Sequence, residues 1–140
     1  MAAVVDQRTP LHAAVLDGSS AAVGKELEKG GDPNRKDADG ASALHLACQV
    51  PALTEIAQLL LDKGADHASC DNDGWSPLYM ACEQNAVETA ELLIRRGAQV
   101  DQVDQDSWTP LLSACQNGQE DVVRLLLEHG ADFRRGDKDG

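Results

Sequence analysis

The chain has few aromatic residues. Two Trp, one Tyr and one Phe are all that its 140 residues contain, so a buried core must be aliphatic, built from Leu, Ala and Val. It has no long apolar stretch. No run approaches 18 residues, and the opening MAAVVDQ lacks the basic start and apolar segment of a secretory leader, so neither a membrane-spanning helix nor membrane insertion is expected. A reducing location, cytoplasmic and/or nuclear, is the corresponding expectation. Positive charge is scarce as well: 12 Lys and Arg stand against 24 Asp and Glu, for a formal net charge of −12. That balance argues against binding nucleic acid through its phosphates and favours basic partners or simple solubility. No H-E-x-x-H, Gly-rich phosphate loop or nucleophile elbow occurs, so no enzyme activity, catalytic residue, cofactor or metal is expected.

What the chain does have is a repeat. Thr9-Pro10-Leu11-His12, Ser42-Ala43-Leu44-His45, Ser76-Pro77-Leu78-Tyr79 and Thr109-Pro110-Leu111-Leu112 align at spacings of 33, 34 and 33 residues. An Ala follows five residues after each start (Ala14, Ala47, Ala81, Ala114), and a Gly falls near the end of each unit (Gly30, Gly64, Gly97, Gly130). A hydroxyl followed by Pro is a helix start, with the side chain as cap and Pro in the first turn. The first helix of each unit should stop near Gly18, Pro51, Asn85 or Gly118. A second helix with an apolar stripe follows, as in Val122-Val123 with Leu125-Leu126-Leu127, and its Gly ends it. The Asp-, Asn- and Gly-rich segments between units read as turns. Helices of about a dozen residues or fewer are marginal alone and gain stability by stacking on the next unit.

These motifs resemble the ankyrin repeat over almost the whole chain, and Thr9 to Ala14 matches the family's T-P-L-H-x-A in full. The resemblance implies an all-α solenoid of stacked helix-turn-helix units joined by short β-hairpin loops, with a concave protein-binding groove lined by hairpins and first helices. It forms a single domain over 1–140, with units at about 6–35, 36–69, 70–102 and 103–135 and the start of a fifth at 136–140. That start, followed by nothing to cover Val123 and Leu126-Leu127, suggests a fragment of a longer protein. Lys25 and Glu26 stand where later units have leucines, which suits a polar N-terminal cap. Tyr79 and Leu112 replace the family histidine, so its bridge to the capping hydroxyl is lost there, and Ser107 replaces the turn glycine.

Cys48, Cys82 and Cys115 share one slot. Stacked helices lie about 8–10 Å apart, beyond the roughly 7 Å Cα limit of a disulfide, so these read as small packing residues. Cys70 is expected to be an exposed thiol. His12 and His45 lie in the repeat motif and read as structural, His67 and His129 as solvent-facing. The recurring pairs Asp37/Asp39, Asp71/Asp73, Asp104/Asp106 and Asp137/Asp139 lack the further ligands of a calcium loop. They read as turn residues that stacking lines up along one acidic edge.

Trp75 and Trp108 each sit just before the capping Ser or Thr, a column that Ala41 and Arg8 occupy in units two and one. In the family this position points into the groove, so the register sets the two rings side by side. Trp is enriched at binding hot spots. Shielding of the core by each ring is the competing expectation. By the same register Glu83, Gln84, Gln116 and Asn117 lie on the groove floor with Met80 and Ser113 one turn earlier, and Asp39, Asp73 and Asp106 form an acidic rim. Such a surface suits an extended, basic segment of a partner protein bound by a monomer. Gly74-Trp75-Ser76-Pro77 with Glu83 is similar to ankyrin domains that read histone tails, although Met80 and Ser113 stand where a methyl-lysine cage has further aromatics. Two other roles are compatible with the sequence: a scaffold or spacer in a longer protein whose activity lies beyond residue 140, and an inhibitor that covers another enzyme's active site.

Overall fold

The computed structural model describes residues 8–132. The expected fifth unit, with Asp137 and Asp139, lies outside them. Eight helices follow in order among the described residues: α1 (Pro10–Leu16), α2 (Ser20–Glu28), α3 (Ala43–Cys48), α4 (Thr54–Asp62), α5 (Pro77–Glu83), α6 (Val87–Arg95), α7 (Pro110–Gln116) and α8 (Glu120–Glu128). Each unit is an antiparallel pair, and the pairs stack in two layers. The layer α1, α3, α5, α7 packs neighbour on neighbour, and so does the layer α2, α4, α6, α8.

Local chemistry sets the boundaries. Thr9, Ser42, Ser76 and Thr109 cap the first helices, each side chain accepting from the backbone N–H three residues on. Replacing such a cap costs about 1 kcal/mol. Units three and four keep this cap without a histidine. Each first helix buries the Leu of its motif, Leu11, Leu44, Leu78 or Leu111, and each buried Leu contributes roughly 1.5–3 kcal/mol. Ala14, Ala47, Ala81 and Ala114 are buried beside them and allow close approach of the helices. In the second layer Leu60, Leu93 and Leu126 occupy one column and are fully buried. Glu26 takes that column in α2, where Val23 is the buried residue, so unit one carries less core. The extra residue of unit two sits beside a single 3-10 turn, Pro51–Leu53, which replaces the left-handed stop used by Gly18, Asn85 and Gly118.

Several expectations need correction. No strand forms among the described residues. Each loop is instead an Asp-closed turn: Asp37, Asp71 and Asp104 donate their own N–H to the carbonyl four residues on, at 3.0 Å each. Cys115 is exposed, unlike Cys48 and Cys82, because α5 and α7 cover α3 and α5 respectively while α7 is the last first-layer helix described. Leu126 is fully buried, whereas Leu127 is 44% exposed on the last helix described. Cys70 is half-buried and accepts a hydrogen bond from Gln102 Nε2 at 3.0 Å, and His67 is half-buried too.

The turn tips stack as tightly as the helices. Asn72 N–H donates to the Asp39 carbonyl at 3.0 Å and Gln105 N–H to that of Asp73 at 3.4 Å. Gly40 and Gly74 have φ of +76° and +80°, and a Cβ on either would lie 2.8 Å from the backbone N of the next tip. Ser107 takes the same turn position at φ +66° and bears the strain of a left-handed L-residue, about 1–2 kcal/mol. Gly74→Ala should therefore destabilise by about 2 kcal/mol or more, since it adds overlap to that strain, whereas Ser107→Gly should leave stability unchanged or raise it by up to about 1 kcal/mol. Urea unfolding of the two variants measures both signs.

Candidate functional site

The acidic pairs divide their work. In each loop one oxygen of the first Asp accepts two backbone N–H groups: Asp37 from Asp39 and Ala41, Asp71 from Asp73 and Trp75, Asp104 from Asp106 and Trp108, all at 2.8–3.0 Å. The second Asp of each pair, Asp39, Asp73 or Asp106, is left exposed at the tip. The same turn fixes the tryptophan backbones. Trp75 is held at N–H by Asp71 and at its carbonyl by the Asp71 N–H and by His45 Nε2, at 2.9 Å. Trp108 has the two bonds to Asp104, and the third is absent because unit three carries Tyr79 in the histidine column.

That exchange builds the site. The Tyr79 ring, 5% exposed, packs against Trp75 with centroids 4.9 Å apart and planes tilted by 39°, within the range of favourable aromatic pairs. Burial, with the Asp104 carboxylate beside it, pushes the Tyr79 hydroxyl up to about 12, so the phenol is neutral. Trp75, Tyr79 and Trp108 line one cleft of about 190 Å³ together with Glu83, Asp104, Asp106, Ser113, Gln116 and Asn117. Three carboxylates and no Lys or Arg border it. Glu83 is held in place from the next unit: its Oε2 accepts from Ser113 Oγ and, at 3.3 Å, from Asn117 Nδ2, and its carbonyl accepts from Gln119 Nε2 at 3.2 Å.

A second cleft of about 360 Å³ adjoins it along the same face, lined by Arg8, Leu16, Asp37, Asp39, Ala41, Leu46, Gln49, Asp71, Asp73, Trp75 and Met80. Trp75 borders both. Arg8 Nε lies 3.7 Å from Asp37 Oδ2 at one end. A larger cleft, about 570 Å³, is elsewhere: it is the apolar face of α7 and α8 around Cys115, Val123 and Leu127, the side on which a further unit would stack as α7 does on α5.

Most residues expected at the groove thus converge. Trp75, Trp108, Asp106, Glu83, Gln116 and Asn117 share the first cleft, and Asp39 and Asp73 line the second. Gln84 is exposed and borders neither. Met80 touches the second cleft but is only 6% exposed and belongs to the core. Trp75 also packs on the core, so its ring both shields and lines. Tyr79 and Asp104 are the members that the sequence did not single out as site residues. Among the described residues no group of three or more His, Cys, Asp or Glu is arranged to hold a metal ion, and no helix is long and apolar enough to cross a membrane.

The family model for ankyrin repeats, three copies, matches residues 2–69 and 51–137. The chain therefore belongs to the ankyrin-repeat family, an all-helical repeat fold whose members are in general protein–protein interaction modules and typically noncatalytic. A comparison with curated proteins found no match.

The His45 bridge carries a pH signature. Its Nδ1 faces the Ser42 N–H at 3.2 Å and must accept, so the proton sits on Nε2, which donates to Trp75. Burial lowers its pKa below 6.5, with the Trp75 carbonyl opposing. The unfolded chain then takes up the proton first as pH falls, so this contribution to stability is complete above pH 6.5 and declines below it, down to the folded pKa. An NMR titration should find His45 titrating below 6.5, with a lower urea midpoint at pH 5.5 than at pH 7.5. Titration at or above 6.5 would contradict the dominance of burial over the bridge.

Proposed function

We propose that this chain is a noncatalytic recognition module that takes an extended, basic segment of a partner protein along the face formed by its first helices and loop tips. One observation carries the reading: the Trp75–Tyr79–Trp108 cleft with Glu83, Asp104 and Asp106 on its walls and no basic residue among them. A Lys or Arg side chain entering it meets π faces, worth about 0.5–2 kcal/mol per ring, and three carboxylates, of which Glu83 and Asp104 are already held by other bonds. The net charge of −12 speeds encounter with a basic partner and disfavours acidic ones. The clefts are open furrows shared between units. Such a surface fits a peptide better than it fits the enclosed chemistry of an enzyme. Lysine-rich tails such as those of histones are one class of segment with the required chemistry. Tyr79, itself buried, backs the Trp75 ring from a position other than Met80 or Ser113, of which one is core and the other bonded to Glu83. The module acts as a monomer, in the cytoplasm or nucleus.

Trp108, which does not pack on the core cluster, gives the cleaner test. Trp108→Ala should weaken binding of a lysine-rich peptide by about 2 kcal/mol or more, roughly 30-fold, with an unchanged helical circular dichroism spectrum. Trp75→Ala should do the same with some loss of stability. Calorimetric titration of the peptide measures both. Unchanged affinity in Trp108→Ala would defeat the proposal.

A further inference from the structure

The column of residues before the helix caps runs Arg8, Ala41, Trp75, Trp108, one per unit. Its small member, Ala41, floors the second cleft, and Trp75 is the wall between the two. The first cleft straddles units three and four. The second is centred on unit two and borrows from units one and three. Their centres are therefore one and a half units apart, or about 12–15 Å at the roughly 8–10 Å spacing of packed helices. The spacing is held rigidly. The loop tips are tied in series by the Asn72–Asp39 and Gln105–Asp73 backbone bonds, and the helices beneath are close-packed.

Charge points the same way in both clefts. The second is bordered by Asp37, Asp39, Asp71 and Asp73 against one guanidinium. That guanidinium, Arg8, belongs to the chain itself and pairs with Asp37, so the protein already shows that this wall receives a cation, at the far end from Asp73 and Trp75. An extended strand advances about 3.2–3.4 Å per residue and sends alternate side chains to opposite faces. Four residues span about 13 Å and return a side chain to the same face. Two residues reach only about 7 Å, six overshoot at about 20 Å, and odd separations turn the second side chain away.

Resting on the reading above, that a basic extended segment occupies this face, we infer that the segment is bipartite, with two cationic side chains four residues apart, one in the Trp75–Trp108 cleft and the other in the cleft above Ala41. The recognised chemistry is thus a basic residue, three residues of free choice, and a second basic residue. Trp75, touching both clefts, packs against the stretch between them.

Terminally blocked twelve-residue Ser/Thr peptides provide the test, bearing either one lysine or two lysines placed two to six residues apart. Binding is followed by intrinsic fluorescence, for which Trp75 and Trp108 are the only indoles. Affinity should peak sharply at a separation of four, about tenfold above the single-lysine peptide. In a variant carrying both Asp39→Asn and Asp73→Asn, exposed positions whose change spares the core, paired and single peptides should bind alike. Paired peptides that bind no better than single ones, or best at another separation, overturn the inference while leaving the basic-segment reading intact. Absence of any response from single and paired peptides alike overturns both.

Discussion

No helix among the described residues is longer than nine residues, too short to be stable in water by itself. Everything else follows from that constraint. Each unit must bury its Leu and Ala columns against the next, and a stack built from near-identical pieces repeats one geometry at every step. Residues 33 or 34 apart in sequence become neighbours on one face. The loops obey the same rule, since each glycine tip leaves space that the backbone of the next tip fills. A recognition surface assembled this way is continuous by construction, and its spacing is set by the packing of helices.

The site arises where single units depart from the repeat. Units one and two spend their histidine on a bridge from the cap to the next unit's backbone carbonyl, His12 to Ala41 and His45 to Trp75. Unit three places Tyr79 in that column, gives up the bridge to Trp108, and gains an aromatic floor beside Trp75. The loop aspartates show a similar split within one motif. The first of each pair is a backbone ligand whose position cannot change without opening the turn. The second is exposed at the tip, where its charge adds to the field along that edge. Turn-closing and exposed carboxylates thus alternate along the chain two residues apart.

Much of this was legible in the sequence because periodicity carries register. The cap column, the Leu and Ala columns, the glycine stops and the shared column of Trp75 and Trp108 all follow from aligning four segments, and the facing of that column came with the family resemblance. Depth was not legible. Met80 shares its column with Leu46 and Ser113, which are also buried, a depth that register alone leaves undefined. Tyr79 was read as a lost bridge, since its gain lies in a ring contact one turn from Trp75 that depends on the angle of the preceding loop. The role of the first Asp was within reach: an Asp followed by backbone N–H groups two and four residues on is turn chemistry. The fate of Cys115 depended on which unit ends the described stack.

The central claim is that a cationic side chain of an extended segment lies between the indoles of Trp75 and Trp108. Intermolecular nuclear Overhauser contacts in a complex with a lysine-rich peptide test it most directly. The account predicts contacts from one lysine's terminal methylenes to both indole rings, with those methylene resonances shifted upfield by the ring currents. Contacts confined to the outer helices α2, α4, α6 and α8, with the indole resonances unmoved, would contradict it.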